Sequence, residues 1–308
     1  MHNKTTIVPR YSWARVGPSA WPICVVIGLV ALFVNLAFGF HGLTSKTGLW
    51  GGSLIILLTL LLPLGAWWDS LKLETLVGMS TAQELSNLKM AFALFIWSEL
   101  FFFVGLFWAF FHSALSPSDE LGCMWPPIVG IMPMNPYSLP TVGLVILVSS
   151  GFSINLAVKS VKAGSALYST MVVTVLLGLA FTCLQVYEYV KAGFTMQDGI
   201  YGSCFYVITG FHGLHVIAGT LFNMFCLKNM VAGDYSRSQM TTLQLAAWYW
   251  HFVDLVWIFA YLMIYVWGNW GCYKTVIGYY SPYHSIVLLV TGFVLPAPLH
   301  LLIPGLHR

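Results

Sequence analysis

The chain has 308 residues, 58% of them hydrophobic and only 7% charged, with a net charge of +3. Soluble domains carry about a quarter charged residues, so a soluble globule is excluded. No basic run marks a nucleic-acid surface. The composition is that of an all-α polytopic membrane protein.

The first 22 residues carry Lys4, Arg10 and Arg15 and no acid. With no cleavage site in view, this reads as the positive flank of a terminus on the inner side rather than a transit peptide. Seven apolar segments follow, each near the roughly 20 residues that a bilayer requires. They run Pro22 to Phe40, Leu49 to Trp68, Met90 to His112, Ser138 to Val158, Ser165 to Tyr187, Tyr201 to Leu227 and Leu243 to Trp267. Linkers are expected at Gly42 to Gly48, at the polar stretch Asp69 to Lys89, and at the proline-rich stretch from Trp125-Pro126-Pro127 to Asn135-Pro136. An eighth apolar stretch, Ser285 to Ile303, is interrupted by Pro296 and Pro298 and is expected to be broken or interfacial. There is no internal repeat.

Basic residues set the orientation. Lys4, Arg10, Arg15, Lys72, Lys89, Lys159, Lys162, Lys228 and Arg237 fall on the N-terminal side, against Lys46, Lys191 and Lys274 on the other. The positive-inside rule therefore puts the N-terminus inside. The six cysteines, at 24, 123, 183, 204, 226 and 272, are widely spaced and lie mostly in apolar segments. They imply neither disulfides nor a thiolate metal site.

Segment three, Met90 to His112, carries Glu99 near its middle. A charge there costs about 2.5–3.5 kcal/mol on insertion scales, so the carboxyl needs a proton, a partner or water. Three readings follow: a neutral acid hydrogen-bonded to a neighbouring helix, a group that handles protons, or one that shapes a polar spot beside another subunit. The phenylalanines at 101 to 103, 107, 110 and 111 read as lipid-facing or packing residues.

Segment six carries His212 and His215, three apart and so on one helix face. They suit bonds across helices, aided by small Gly210, Gly213 and Gly219. With Glu99, Glu188 and His251 as further ligands they could instead hold a metal. Segment seven opens Trp248-Tyr249-Trp250-His251-Phe252-Val253-Asp254. His251 and Asp254 read as a structural pair tying a helix end to its neighbours, and the aromatics as an interface belt. Glu188 falls near the outer end of segment five, within reach of water, and reads as structural. Trp67-Trp68-Asp69, Lys72 and Glu74 mark the inner headgroup zone, where Trp68 and Lys72 could hold a lipid head. No motif for nucleotide binding, haem attachment or acyl transfer is present.

Several long motifs carry a family resemblance. They are Asp198-Gly-Ile-Tyr-Gly-Ser-Cys-Phe-Tyr-Val-Ile-Thr-Gly-Phe-His-Gly-Leu-His-Val216 and Ala247-Trp-Tyr-Trp-His-Phe-Val-Asp-Leu-Val-Trp257. Ser98-Glu-Leu-Phe-Phe-Phe103, Phe107-Trp-Ala-Phe-Phe-His-Ser113, Trp125-Pro-Pro127, Asn135-Pro136, Ser150-Gly151, Leu184-Gln185 and Glu188-Tyr189 support them. From about Pro18 to Gly268 the chain resembles the subunit III family of haem–copper terminal oxidases, of the cytochrome c type.

That resemblance implies seven helices, the first two split from the other five by a cleft that holds phospholipid. It implies a subunit without haem or copper and without a catalytic residue of its own. Haem a and copper would sit in partner subunits, with subunit I packed directly against this chain and subunit II in the same complex. Glu99 matches the family's intramembrane carboxylate, associated with proton uptake. Trp68 and Glu74 match positions near the cleft lipid, and Lys72 and Lys228 are the nearest basic residues to the family's lipid-binding ones. Glu188, His212, His215, His251 and Asp254 match positions that look structural. The family's Trp-Trp-Arg-Asp is here Trp67-Trp68-Asp69-Ser70, and its His pair after segment four is Val158-Lys159.

The expected organisation is 1–75 with helices one and two, 76–268 as a five-helix bundle, and 269–308 as an extension. The extension is assigned to an accessory subunit or a neighbouring respiratory complex. The expected location is the mitochondrial inner membrane with the N-terminus on the matrix side, the alternative being a bacterial plasma membrane. Rival functions are subunit III of a quinol oxidase, a membrane metalloenzyme using Glu99, Glu188, His212 and His215, and a proton-coupled transporter.

Overall fold

The computed structural model describes residues 18–76, 82–127, 131–165, 167–235 and 240–269. The eighth apolar stretch and all of the extension beyond Asn269 lie outside them. The described residues form α1 (Trp21–Phe40), α2 (Lys46–Leu76), α3 (Ala82–Leu115), α4 (Leu139–Ala163), α5 (Tyr168–Lys191), α6 (Ile200–Val231) and α7 (Thr241–Ala260), and they include no strand. A π-helical stretch, Tyr261–Trp267, continues α7. All seven helices are long and apolar enough to cross a membrane.

In its described residues the polar stretch from Asp69 to Lys89 is helical, where its composition led to a linker being expected. α2 runs on to Leu76, and α3 starts at Ala82. Leu, Lys, Glu, Ala and Gln are good helix formers, so the helices outlast the apolar spans that they contain.

The chain divides into two compact units at Ala91 and Phe92. In the first, α1 and α2 pack as a pair. Asn35 Nδ2 donates to the Leu49 carbonyl at 3.0 Å and to Ser53 Oγ at 2.9 Å, so a polar side chain on α1 is satisfied by α2. Gly39 packs against Leu49, and Gly28 against Leu60. Small residues let the two backbones approach, the usual basis of helix association in lipid.

In the second unit α4, α5, α6 and α7 close a ring, each packed on the next and α7 on α4. Trp250 is its centrepiece. Its side chain is fully buried, and Nε1–H donates to Ser150 Oγ of α4 at 2.8 Å. Its ring lies against Gly178 of α5 and Gly219 of α6. Trp250 is therefore a core residue and not part of an interface belt; Tyr249 is also buried, and only Trp248 is exposed. Of Gly210, Gly213 and Gly219, only Gly219 makes a tight approach: Gly213 has nothing within 4 Å among the described residues, and Gly210 meets only the Tyr189 hydroxyl at 3.8 Å.

α3 packs on the ring through aromatic side chains. Phe103 meets Phe252, Phe107 meets Phe259, and Phe110 meets Trp125 and Trp267. Phe103, Phe107 and Phe110 recur at helical spacing and are buried, whereas Phe101 and Phe102 are exposed. Asn269 closes the end of the last span: it accepts from the Tyr201 hydroxyl at 2.8 Å and donates to the Met134 carbonyl at 2.6 Å.

A Cβ at Gly219 would lie 2.8 Å from the Trp250 ring, closer than carbon atoms pack. Gly219→Ala is expected to destabilise the fold by about 1–3 kcal/mol through overpacking. Gly213→Ala, facing open space, is expected to be neutral or to stabilise by up to about 1 kcal/mol. Thermal unfolding of the two purified variants checks this, and equal effects would contradict the packing described.

Candidate functional site

Glu99 stands at the midpoint of the span Gln83–Leu115. His215 stands beside the midpoint of Ile200–Val231. The two side chains meet there, His215 Nε2 lying 3.0 Å from Glu99 Oε2. The His215 side chain is 14% exposed and that of Glu99 26%. Phe103 and Phe252 stand edge-on to the imidazole, and Tyr249 stacks on it at 6.3 Å.

His215 Nδ1–H donates to the Phe211 carbonyl at 2.7 Å, one turn back on α6. Nδ1 is therefore committed to the backbone, and Nε2 is the ring nitrogen left to hydrogen-bond Glu99 Oε2 across the two helices. That bond gives the mid-span carboxyl a partner within protein.

His212 has a different role although it shares the face of α6 with His215. It is fully buried, its Nε2–H donates to the Val253 carbonyl at 3.1 Å, and its ring stacks on Trp257 at 4.8 Å. Glu188 is 3% exposed and accepts from Gln185 Nε2 at 3.2 Å. It is thus enclosed by protein, and the water contact expected from its place near the helix end is not made. The structure joins Glu99 to His215 but gives His212 and Glu188 other partners. Among the described residues no group of three or more His, Cys, Asp or Glu could hold a metal ion. The described cysteines, 24, 123, 183, 204 and 226, are free thiols.

His251 and Asp254 form a second mid-span pair on α7, with Nδ1 to Oδ2 at 3.7 Å. His251 Nε2–H also donates to Asn155 Oδ1 of α4 at 3.0 Å. The sequence reading did not single out Asn155; an amide inside an otherwise apolar segment was the available signal. Trp68 and Glu74 lie on α2 in the first unit, Trp68 partly exposed. Lys72 lies on the same helix, but its side chain is outside the described residues. Lys228 is exposed on the last turn of α6. An apolar groove of about 690 Å³ runs between α3 and α7, lined by Val104, Phe107, Trp108, Leu255 and Phe259 among others.

A family model described as cytochrome c oxidase subunit III matches residues 11–269. The chain belongs to the cytochrome c oxidase subunit III family. It is 43% identical over 262 residues to cytochrome c oxidase subunit 3 of Branchiostoma lanceolatum, covering 84% of this chain and 98% of that one. The protein of the same name from Aedes aegypti is 43% identical over 254 residues, with 82% and 95% covered. That from Polypterus ornatipinnis is 42% identical over 262 residues, with 84% and 98% covered. This is the family that the sequence motifs resemble. The matched region contains all seven spans and both mid-span pairs, and it stops where the last span ends.

A double-mutant cycle on Glu99→Leu and His215→Leu measures the pair directly. The expected coupling is about 0.5–3 kcal/mol, because either single change strands a polar group at mid-span while the double change removes both. Additive losses in thermal stability would contradict a direct interaction between the two side chains.

Proposed function

We propose that the chain is a non-redox core subunit of cytochrome c oxidase, the respiratory complex that passes electrons from cytochrome c to oxygen and translocates protons. Its role there is to brace subunit I, which with subunit II holds haem a and copper. It also binds phospholipid and supports proton uptake. The observation that carries the reading is the match to the subunit III family across the seven spans, with Glu99 and His215 joined at their centre.

A proton passed between Glu99 and His215, whose facing atoms are already 3.0 Å apart, is the chemical content of the last role. A proton lost to the neighbouring subunit would be replaced from the inner side. Trp68, Lys72, Glu74 and Lys228 are the residues we assign to lipid, supplying aromatic and charged groups for headgroups.

The working organisation is 1–75 with two helices, 76–268 with five, and 269–308 as a contact for an accessory subunit or neighbouring complex. The location is the mitochondrial inner membrane, N-terminus on the matrix side. The names of the relatives and the bias of basic residues support this.

Glu99→Gln tests the proton role. The amide can still hydrogen-bond His215 but cannot release a proton. The variant complex is expected to assemble at normal levels and to start at the normal rate, then to lose activity faster during prolonged turnover. An unchanged inactivation rate would leave the pair with a purely structural role.

A further inference from the structure

Tyr249 of α7 is buried beside the Glu99–His215 pair. Its ring runs nearly parallel to two others. It stacks on His215 with centroids 6.3 Å apart and planes 18° apart, and on Phe95 of α3 at 6.4 Å and 14°. It also meets Phe252 at 6.2 Å. A Cβ at Gly219 would lie 3.2 Å from Tyr249 Cε1, so this glycine seats the phenol ring as well as the indole of Trp250.

Spacing puts these contacts in one layer. Phe95 and Glu99 are four apart on α3, and His215 and Gly219 are four apart on α6. Each couple shares a helix face, one turn apart. Successive spans alternate in direction, so Phe95 and Gly219 lie on the same side of the pair. Tyr249 occupies the layer that they define.

The pair needs such a plate. The Nδ1 bond to the Phe211 carbonyl ties one ring nitrogen to α6, but the χ2 torsion of a histidine is broad and does not by itself fix the ring plane. A tilt of the imidazole turns Nε2 away from Oε2, and a hydrogen bond weakens steeply with angle. The two side chains keep 14% and 26% exposure, so enclosure alone does not hold them. Phe103 and Phe252 meet the imidazole edge-on, whereas Tyr249 lies along its plane.

We propose that Tyr249 is a positioning residue for the Glu99–His215 pair: its ring, backed by Phe95 and seated by Gly219, holds the imidazole in the plane where Nε2 meets Oε2. The inference rests on the reading of that pair as the site of proton handling, and it names what keeps the pair aligned. The role belongs to the ring, so phenylalanine serves at this position and an aliphatic side chain does not.

The test uses the assembled complex. Tyr249→Phe keeps the ring, and Tyr249→Leu removes it. The first readout is the infrared carboxyl band that disappears in Glu99→Gln. Tyr249→Leu is expected to shift this band, because the bond to His215 loosens, and Tyr249→Phe to leave it in place. An unshifted band in Tyr249→Leu, or the same shift in both variants, overturns the proposal. The second readout is the rate of inactivation during prolonged turnover. Tyr249→Leu is expected to raise it about two- to tenfold, the factor that one aromatic pair is worth, and Tyr249→Phe to keep the parent rate. In the Glu99→Gln background Tyr249→Leu is expected to add nothing, because it acts through the pair; effects that multiply there overturn the proposal. Where Tyr249→Leu does not assemble, Phe95→Leu removes the partly exposed backing ring instead. It is expected to shift the same band, and an unshifted band again overturns the proposal. If Glu99→Gln itself leaves inactivation unchanged, the proton reading fails, while the band still decides whether Tyr249 positions the pair.

Discussion

A bilayer interior supplies no hydrogen bonds, so every polar side chain at mid-span must find its partner within protein. That constraint organises this chain. Asn35 on α1 is satisfied by α2, Trp250 on α7 by Ser150 on α4, and His212 on α6 by a backbone carbonyl of α7. Each of these bonds joins two helices. Apolar packing brings the spans together, but in lipid it does not choose among registers. The polar pairs do.

Glu99 is the most demanding case. It is a carboxyl at the centre of a span, and the structure answers it with a single imidazole whose other nitrogen is already committed to a carbonyl. The two side chains meet 3.0 Å apart at mid-span and are ringed by aromatic side chains. The helix ring that supports it is set by Trp250, whose indole fills the space left by Gly178 and Gly219. The core packing and the surroundings of the pair are therefore linked through neighbouring residues on α7, because Tyr249 and Phe252 line the imidazole of His215 while Trp250 faces the core.

Much of this was legible in the sequence. Seven apolar stretches of span length predicted the seven helices, and Glu99 stood out as the acid deep in a span. Helix ends were less legible, since hydropathy marks the bilayer and not the backbone, and the polar helix formers after Trp68 and before Met90 prolong α2 and α3. Partners across helices were not legible at all. Spacing joined His212 to His215 as neighbours on one helix, but their partners lie on other helices, and Glu99 is 116 positions from His215. The cluster at 248 to 250 looked like an interface belt because composition does not separate a buried indole from an interfacial one. Glu188 looked wet for a similar reason: its place near a helix end said nothing of the side chains that enclose it.

Membership of the oxidase is the claim on which the rest depends. The most direct measurement is to purify the chain from its native membrane in a mild detergent and record the optical spectrum and the masses of co-purifying chains. The account predicts the absorption of a-type haem together with two large oxidase subunits. A chain that emerges alone and without haem absorption, or with iron or zinc bound to itself, would contradict it.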